Sequence, residues 1–233
     1  MRISYTIFLL LLFAAPVGSQ QVYFVPEHPV LSDRLPPEDC LPYYGADEPC
    51  RSLIGSFAFL EAATGLGWEA PDGTLTDGAS IPRWARIIGE PEYPAFVRAA
   101  LIHDHYVRRK VRTSPQTHAV FRRILLASGV DAVRANVMYV AVQVWNPWWK
   151  LNYSPEVCDT VANCVRNDAT VTSIDIAPGG KGFVDLDALV ARLEADPSVA
   201  TDDATEEDLQ AIAARIRREN GLGTPAPAGF AQE

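Results

Sequence analysis

Residues able to do chemistry gather in the middle of the chain: Asp77, Ser80, His103, Asp104 and His118. Two of the chain's four histidines fall on apolar helix faces. His103 lies three or four residues from Ala99, Ala100 and Val107. His118 lies three and seven residues before Phe121 and Leu125. That spacing turns both imidazoles inward. An inward polar side chain without a partner costs about 1–3 kcal/mol, so each needs a hydrogen-bond partner, a water or a metal. Asp104 follows His103 by about 100° around a helix and borders the same face. His105 points to the other side and is expected to be more exposed. Asp77, from the loop before these helices, is a candidate partner. A plainer reading covers the same residues. Asp77 braces its loop by accepting backbone N–H bonds, Ser80 caps a short helix with Pro82 in its first turn, and His103 with Asp104 forms a satisfied structural pair.

The elements that must position these groups are legible from pattern. Ser56-Phe57-Ala58-Phe59-Leu60 and Leu66-Gly67-Trp68-Glu69-Ala70 read as strands, followed by a Pro71-Asp72-Gly73 turn. Three helices come next. The first is expected over about 94–111 with Phe96, Ala99, Ala100, His103 and Val107 inward. The second has Ser114 as N-cap, Pro115 at N1 and an end near Gly129. The third spans about 131–145 with Val133, Val137, Ala141 and Val144 inward, closed by Pro147. Trp145, Trp148, Trp149 and Tyr153 are expected to pack the end of this third helix; holding sugar rings is the other use of such a cluster. A strand over 169–176, a helix capped by Asp185 and a last amphipathic helix over about 205–220 complete the reading.

The string Thr76-Asp77-Gly78-Ala79-Ser80-Ile81-Pro82, then His103-Asp104, then the helix with Phe121 and Gly129 after it, resembles domain-of-unknown-function family 1353. The resemblance covers roughly residues 57–149 and implies a fold, bacterial or phage origin, and no defined activity. The family usually has Ala-Asp where this chain has Thr117-His118. Asp and His share one property, as ligands to metals that take N and O donors. This points to a divalent metal, zinc first, held by Asp77, His103 and His118. Asp104 is then a fourth ligand or an orienting partner, and Ser80 positions substrate. A water on the open position becomes a nucleophile near neutral pH. A metal-free catalytic or ligand-binding site is a further alternative. An HD-type phosphohydrolase needs an upstream helical His, and His28 sits in a Pro-rich arm.

Export frames these readings. Arg2, the apolar run Ile3 to Val17 and the small residues around Ser19 form a cleavable signal peptide over residues 1–19. Loss of Arg2 takes the formal charge from −9 to −10. Cys40, Cys50, Cys158 and Cys164 are then expected as disulfides, with the local pairs favoured among three connectivities. Residues 83–134 carry 10 basic against 4 acidic side chains, while 185–233 carry 4 basic against 11 acidic. The basic middle suits a cell-wall or other anionic polymer. The exported address disfavours nucleic acid, and no later segment is apolar enough to span a bilayer. The expected architecture is α+β: a small antiparallel sheet beside a three-helix cluster, with disulfide-pinned flanks. Its parts are a signal peptide (1–19), a Pro-rich arm (20–52), a core domain (53–153), an extension (154–200), and an acidic helix with a tail (201–233). Two functions fit it: a metal-dependent hydrolase of cell-envelope polymer, and a non-catalytic envelope or phage-type interaction module.

Overall fold

The computed structural model describes residues 22–40, 50–62, 65–77, 94–153, 171–180, 182 and 184–224. The expected signal peptide, Ser80 and the Cys158–Cys164 pair lie outside the described residues. The chain is α+β. Strands β1 (Val22–Val25), β4 (Phe57–Glu61) and β5 (Leu66–Ala70) form one antiparallel sheet in the order β1-β4-β5. Strands β2 (Val30–Leu31), β3 (Arg51–Ile54) and β6 (Leu75–Thr76) form a second, in the order β2-β3-β6. A short helix α1 (Pro37–Cys40) ends at the Cys40–Cys50 disulfide, which ties the Pro-rich arm to the start of β3.

Alternation explains the sheet. Phe57, Phe59, Trp68 and Ala70 are buried, while Leu60, Gly67 and Glu69 face out, as a half-covered strand requires. The cross-strand pairs Phe59–Trp68 and Phe57–Ala70 put the large rings on one face. That face packs on helix α2 (Pro94–Arg109), whose Phe96, Ala99 and Ile102 are buried.

Helix α3 (Ser114–Ala127) begins one residue earlier than the spacing suggests, because Thr113 rather than Ser114 is the N-cap. Thr113 and Gln116 close a reciprocal capping box, which leaves Ser114 buried inside the first turn. Helix α4 (Ala132–Trp145) is apolar around most of its circumference, with Ala135 through Ala141 all buried. Such a helix must be covered on several sides. Helix α3 covers one. Helices α5 (Leu186–Glu194) and α6 (Glu206–Glu219) cover another, burying Leu189, Val190, Leu193, Leu209, Ile212 and Ile216 in a second core with Val137, Val140 and Val144. The acidic last helix is therefore packed along one stripe. Trp148 and Trp149 start a strand, β7 (Trp148–Tyr153), which pairs with β8 (Val171–Ala177) and buries both indoles.

The loop after β8 lies against the end of α4. Gly180 N–H donates to the Val144 and Trp145 carbonyls. A Cβ on Gly179 would stand 2.4 Å from the Trp145 carbonyl oxygen and 2.7 Å from the Asn146 carbonyl carbon. These are backbone atoms with little freedom to yield. Gly179→Ala is expected to cost about 1–3 kcal/mol through overpacking, read as a lower urea midpoint. An unchanged midpoint would show that this close approach does not matter.

Candidate functional site

Helix α2 sorts its polar residues onto two faces. His103 points toward α3. Asp104, His105 and Arg108 point toward β6, as their angular positions on a 3.6-residue helix require. His103 and His118 meet across the α2–α3 seam, with Nε2 of His103 2.9 Å from Nδ1 of His118. They are 4% and 0% exposed. Phe121 stands 5.1 Å from the His103 ring and Trp149 5.7 Å from the His118 ring, so aromatic walls enclose the pair. Burial holds the His118 pKa well below the usual imidazole value, with His103 and then Arg217 pushing the same way and the Pro147 carbonyl opposing. Nε2 of His118 has no hydrogen bond of normal geometry among the described residues.

Asp104 joins the pair from the other nitrogen of His103. Its Oδ1 lies 3.8 Å from His103 Nδ1, and its Oδ2 accepts from Thr76 Oγ1 at 2.9 Å. One imidazole donates to the other across this contact; the Asp104 carboxylate beside His103 and the Pro147 carbonyl beside His118 each favour a proton on the nitrogen facing them. The result is a polar line, Thr76–Asp104–His103–His118, buried at Thr76 and both imidazoles and partly exposed at Asp104, that joins β6, α2 and α3. Thr76, whose role in this line the spacing did not reveal, is fully buried. Its signal was its place in the motif beside Asp77.

Of the sequence-derived candidates, His103, Asp104 and His118 are therefore brought together. Asp77 follows Thr76 at the end of β6, half-buried with its Oδ1 shielded from solvent. Ser80 lies outside the described residues. Among the described residues, no group of three or more His, Cys, Asp or Glu side chains is arranged to hold a metal ion.

A second polar set was not anticipated. Arg122 Nε donates to Asn136 Oδ1 at 2.7 Å, and Asn136 Nδ2 donates to the Val199 and Thr201 carbonyls at 3.2 and 2.8 Å. This contact ties α3 to α4. Gln143 of α4 and Ser114, Thr117 and His118 of α3 are further polar residues of the core. All four are 0% exposed, and the side-chain amide of Gln143 and the hydroxyls of Ser114 and Thr117 have no hydrogen-bond partner among the described residues. Polar groups left so in a core are rare and costly.

His105 is half-buried on the opposite face of α2. Burial, then Arg108 and Arg109, push its pKa down to about 4. Its Nδ1 lies 3.5 Å from Thr74 Oγ1.

A family model described as protein of unknown function (DUF1353) matches residues 53–142. The uncharacterized protein y4iH of Sinorhizobium fredii (strain NBRC 101917 / NGR234) is 31% identical over 188 residues, 78% of this chain and 78% of that protein. The uncharacterized protein y4jT of the same organism is 41% identical over 105 residues, 44% of this chain and 31% of that protein. No solved structure matches the chain.

Proposed function

We propose, from the premise that the chain belongs to the DUF1353 family of proteins of unknown function, that it is an exported, non-catalytic binding module for an anionic envelope polymer. One observation carries this reading. The histidines spend their facing nitrogens on each other, at 2.9 Å, inside a seam closed by aromatic rings. Groups so enclosed act on the fold: they lock α2 to α3, and Asp104 with Thr76 locks α2 to β6. The basic side chains of α2 are thereby held in one orientation beside the β5–β6 turn. Export is supported by the signal-like N-terminal pattern and by the Cys40–Cys50 disulfide, a bond of oxidising compartments. No helix among the described residues is long and apolar enough to cross a membrane.

A metal-dependent hydrolase is the second reading, and one geometric fact favours it. Two nitrogens on one tetrahedral zinc, each at ~2.05 Å, stand roughly 3.3 Å apart, close to the 2.9 Å seen between the imidazoles. Asp104 behind His103 matches the outer partner that such ligands usually have.

Metal analysis of the purified protein, with His103→Ala and His118→Ala, separates the two. The module reading expects substoichiometric metal in all three proteins and variants destabilised by about 1–3 kcal/mol. About one metal per chain, lost in both variants, would overturn it in favour of the hydrolase.

A further inference from the structure

The face of α2 opposite the histidine pair borders an open cleft of about 580 Å³. His105, Arg108 and Arg109 line one wall, and Asp72, Thr74 and Leu75 of the β5–β6 turn line the other. Its size falls in the range of small-ligand sites. The walls are held in place. Asp72 Oδ1 accepts the Gly55 N–H at 2.7 Å, and Thr74 Oγ1 donates to the Pro71 carbonyl at 2.7 Å. The Arg108 guanidinium donates to the Leu75 carbonyl, which fixes its plane across the cleft.

We infer that this cleft binds an acidic glycan, with Arg108 and Arg109 taking its oxyanion and Asp72, Thr74 and His105 meeting its hydroxyls. The charge layout selects this class. Two guanidiniums face a carboxylate across polar, uncharged groups. A ligand must therefore bring a negative group and hydroxyl donors on neighbouring atoms, as a uronic acid or a sugar phosphate does. A strand carrying only phosphates toward both walls would meet Asp72. Guanidinium forks suit planar carboxylate and phosphate oxygens alike. His105 enters as a hydrogen-bonding group, its Nδ1 standing 3.5 Å from Thr74 Oγ1 on the facing wall. The inference rests on the binding-module reading and supplies its site and ligand.

Calorimetric titration of the full chain tests it, using three probes of equal length: a galacturonic-acid oligosaccharide, a phosphodiester-linked glucose-phosphate oligomer and a neutral glucan. One of the two acidic probes is expected to bind, and which one identifies the oxyanion. Raising the salt to half-molar should weaken binding at least tenfold, as screening of exposed charge requires. Arg109→Gln, at an exposed position, should weaken it at least fivefold with an unchanged unfolding midpoint. Binding untouched by Arg109→Gln overturns the site. Equal binding of the neutral glucan, tighter binding of a DNA oligonucleotide of equal charge, or no binding of either acidic probe overturns the ligand class. Cleavage of a bound oligosaccharide, read from its products, overturns the non-catalytic reading and leaves the site standing.

Discussion

Replacing Arg217 by methionine is expected to lower the unfolding free energy by on the order of 3–5 kcal/mol. Arg217 is 0% exposed, and its guanidinium reaches carbonyls from three segments. Nη1 donates to Gln143, Val144 and Asn146 at 3.1, 3.0 and 3.0 Å. Nε donates to Gly223 at 3.0 Å, and Nη2 donates to Pro178. Gln143 and Val144 belong to the last turn of α4, whose carbonyls have no partner inside the helix. A cation at a helix C-terminus also meets the negative end of the helix dipole. Trp148 lies under the guanidinium at 5.2 Å. Burial pushes the Arg217 pKa down to about 10, so the group stays charged at neutral pH. Truncation strands several buried acceptors at once. Arg217→Lys should recover less than half of the loss, because a single ammonium cannot fork to three segments. Urea unfolding measures both variants, and a methionine variant within about 1 kcal/mol of wild type would refute the account.

Arg217 also shows where sequence reading stops. Its helix was legible from Leu209, Ile212 and Ile216 at helical spacing, expected over about 205–220 and found at Glu206–Glu219. The same spacing puts Arg217 beside Ile216 without saying that five carbonyls from three segments wait for it. Those carbonyls come from a helix end, a strand end and a chain turn that meet only in the fold. The inward turn of His103, His118, Phe121 and Leu125 followed directly from period. The His–His bond did not, because period fixes a face and leaves open what stands across it. Pro147 marked the end of α4 correctly, yet Trp148 and Trp149 leave that end as a strand, since their partner β8 lies more than 20 residues on. Thr113 displaced Ser114 as the N-cap because Gln116 sits three residues after Thr113 and can answer its backbone N–H. The core split in two because α4 is apolar nearly all round, a pattern readable in its sequence but interpretable only once α5 and α6 are seen to cover it.

Acid should unfold this protein early, and through histidine. His118 is held below its ordinary pKa by burial, and His105 is lowered to about 4. An imidazole depressed in the folded state binds fewer protons there than in the unfolded chain. Stability is therefore intact above about pH 6.5 and falls as pH drops toward the folded pKa. The slope is about 1.4 kcal/mol per pH unit for a fully buried ring, and smaller for His105, which solvent partly reaches. Glu206 acts in the opposite sense over its own window. Burial raises its pKa, so protonation above the ordinary carboxylate range favours the folded state. Asp196, lowered by its Ser198 hydrogen bonds, adds a loss only below about pH 3.8. Between pH 6.5 and 5 the histidines dominate, and the expected loss is on the order of 2 kcal/mol. His118→Phe, which keeps a ring among Phe121, Trp149 and His103, should flatten the slope by nearly one proton while costing stability at pH 7.5. A wild type equally stable at pH 7.5 and 5 would show that His118 is not held neutral. The same titration repeated with a chelator bears on function: a slope and midpoint unmoved by it support a bracket of two imidazoles, whereas destabilisation at pH 7.5 on chelation would assign the pair to a metal.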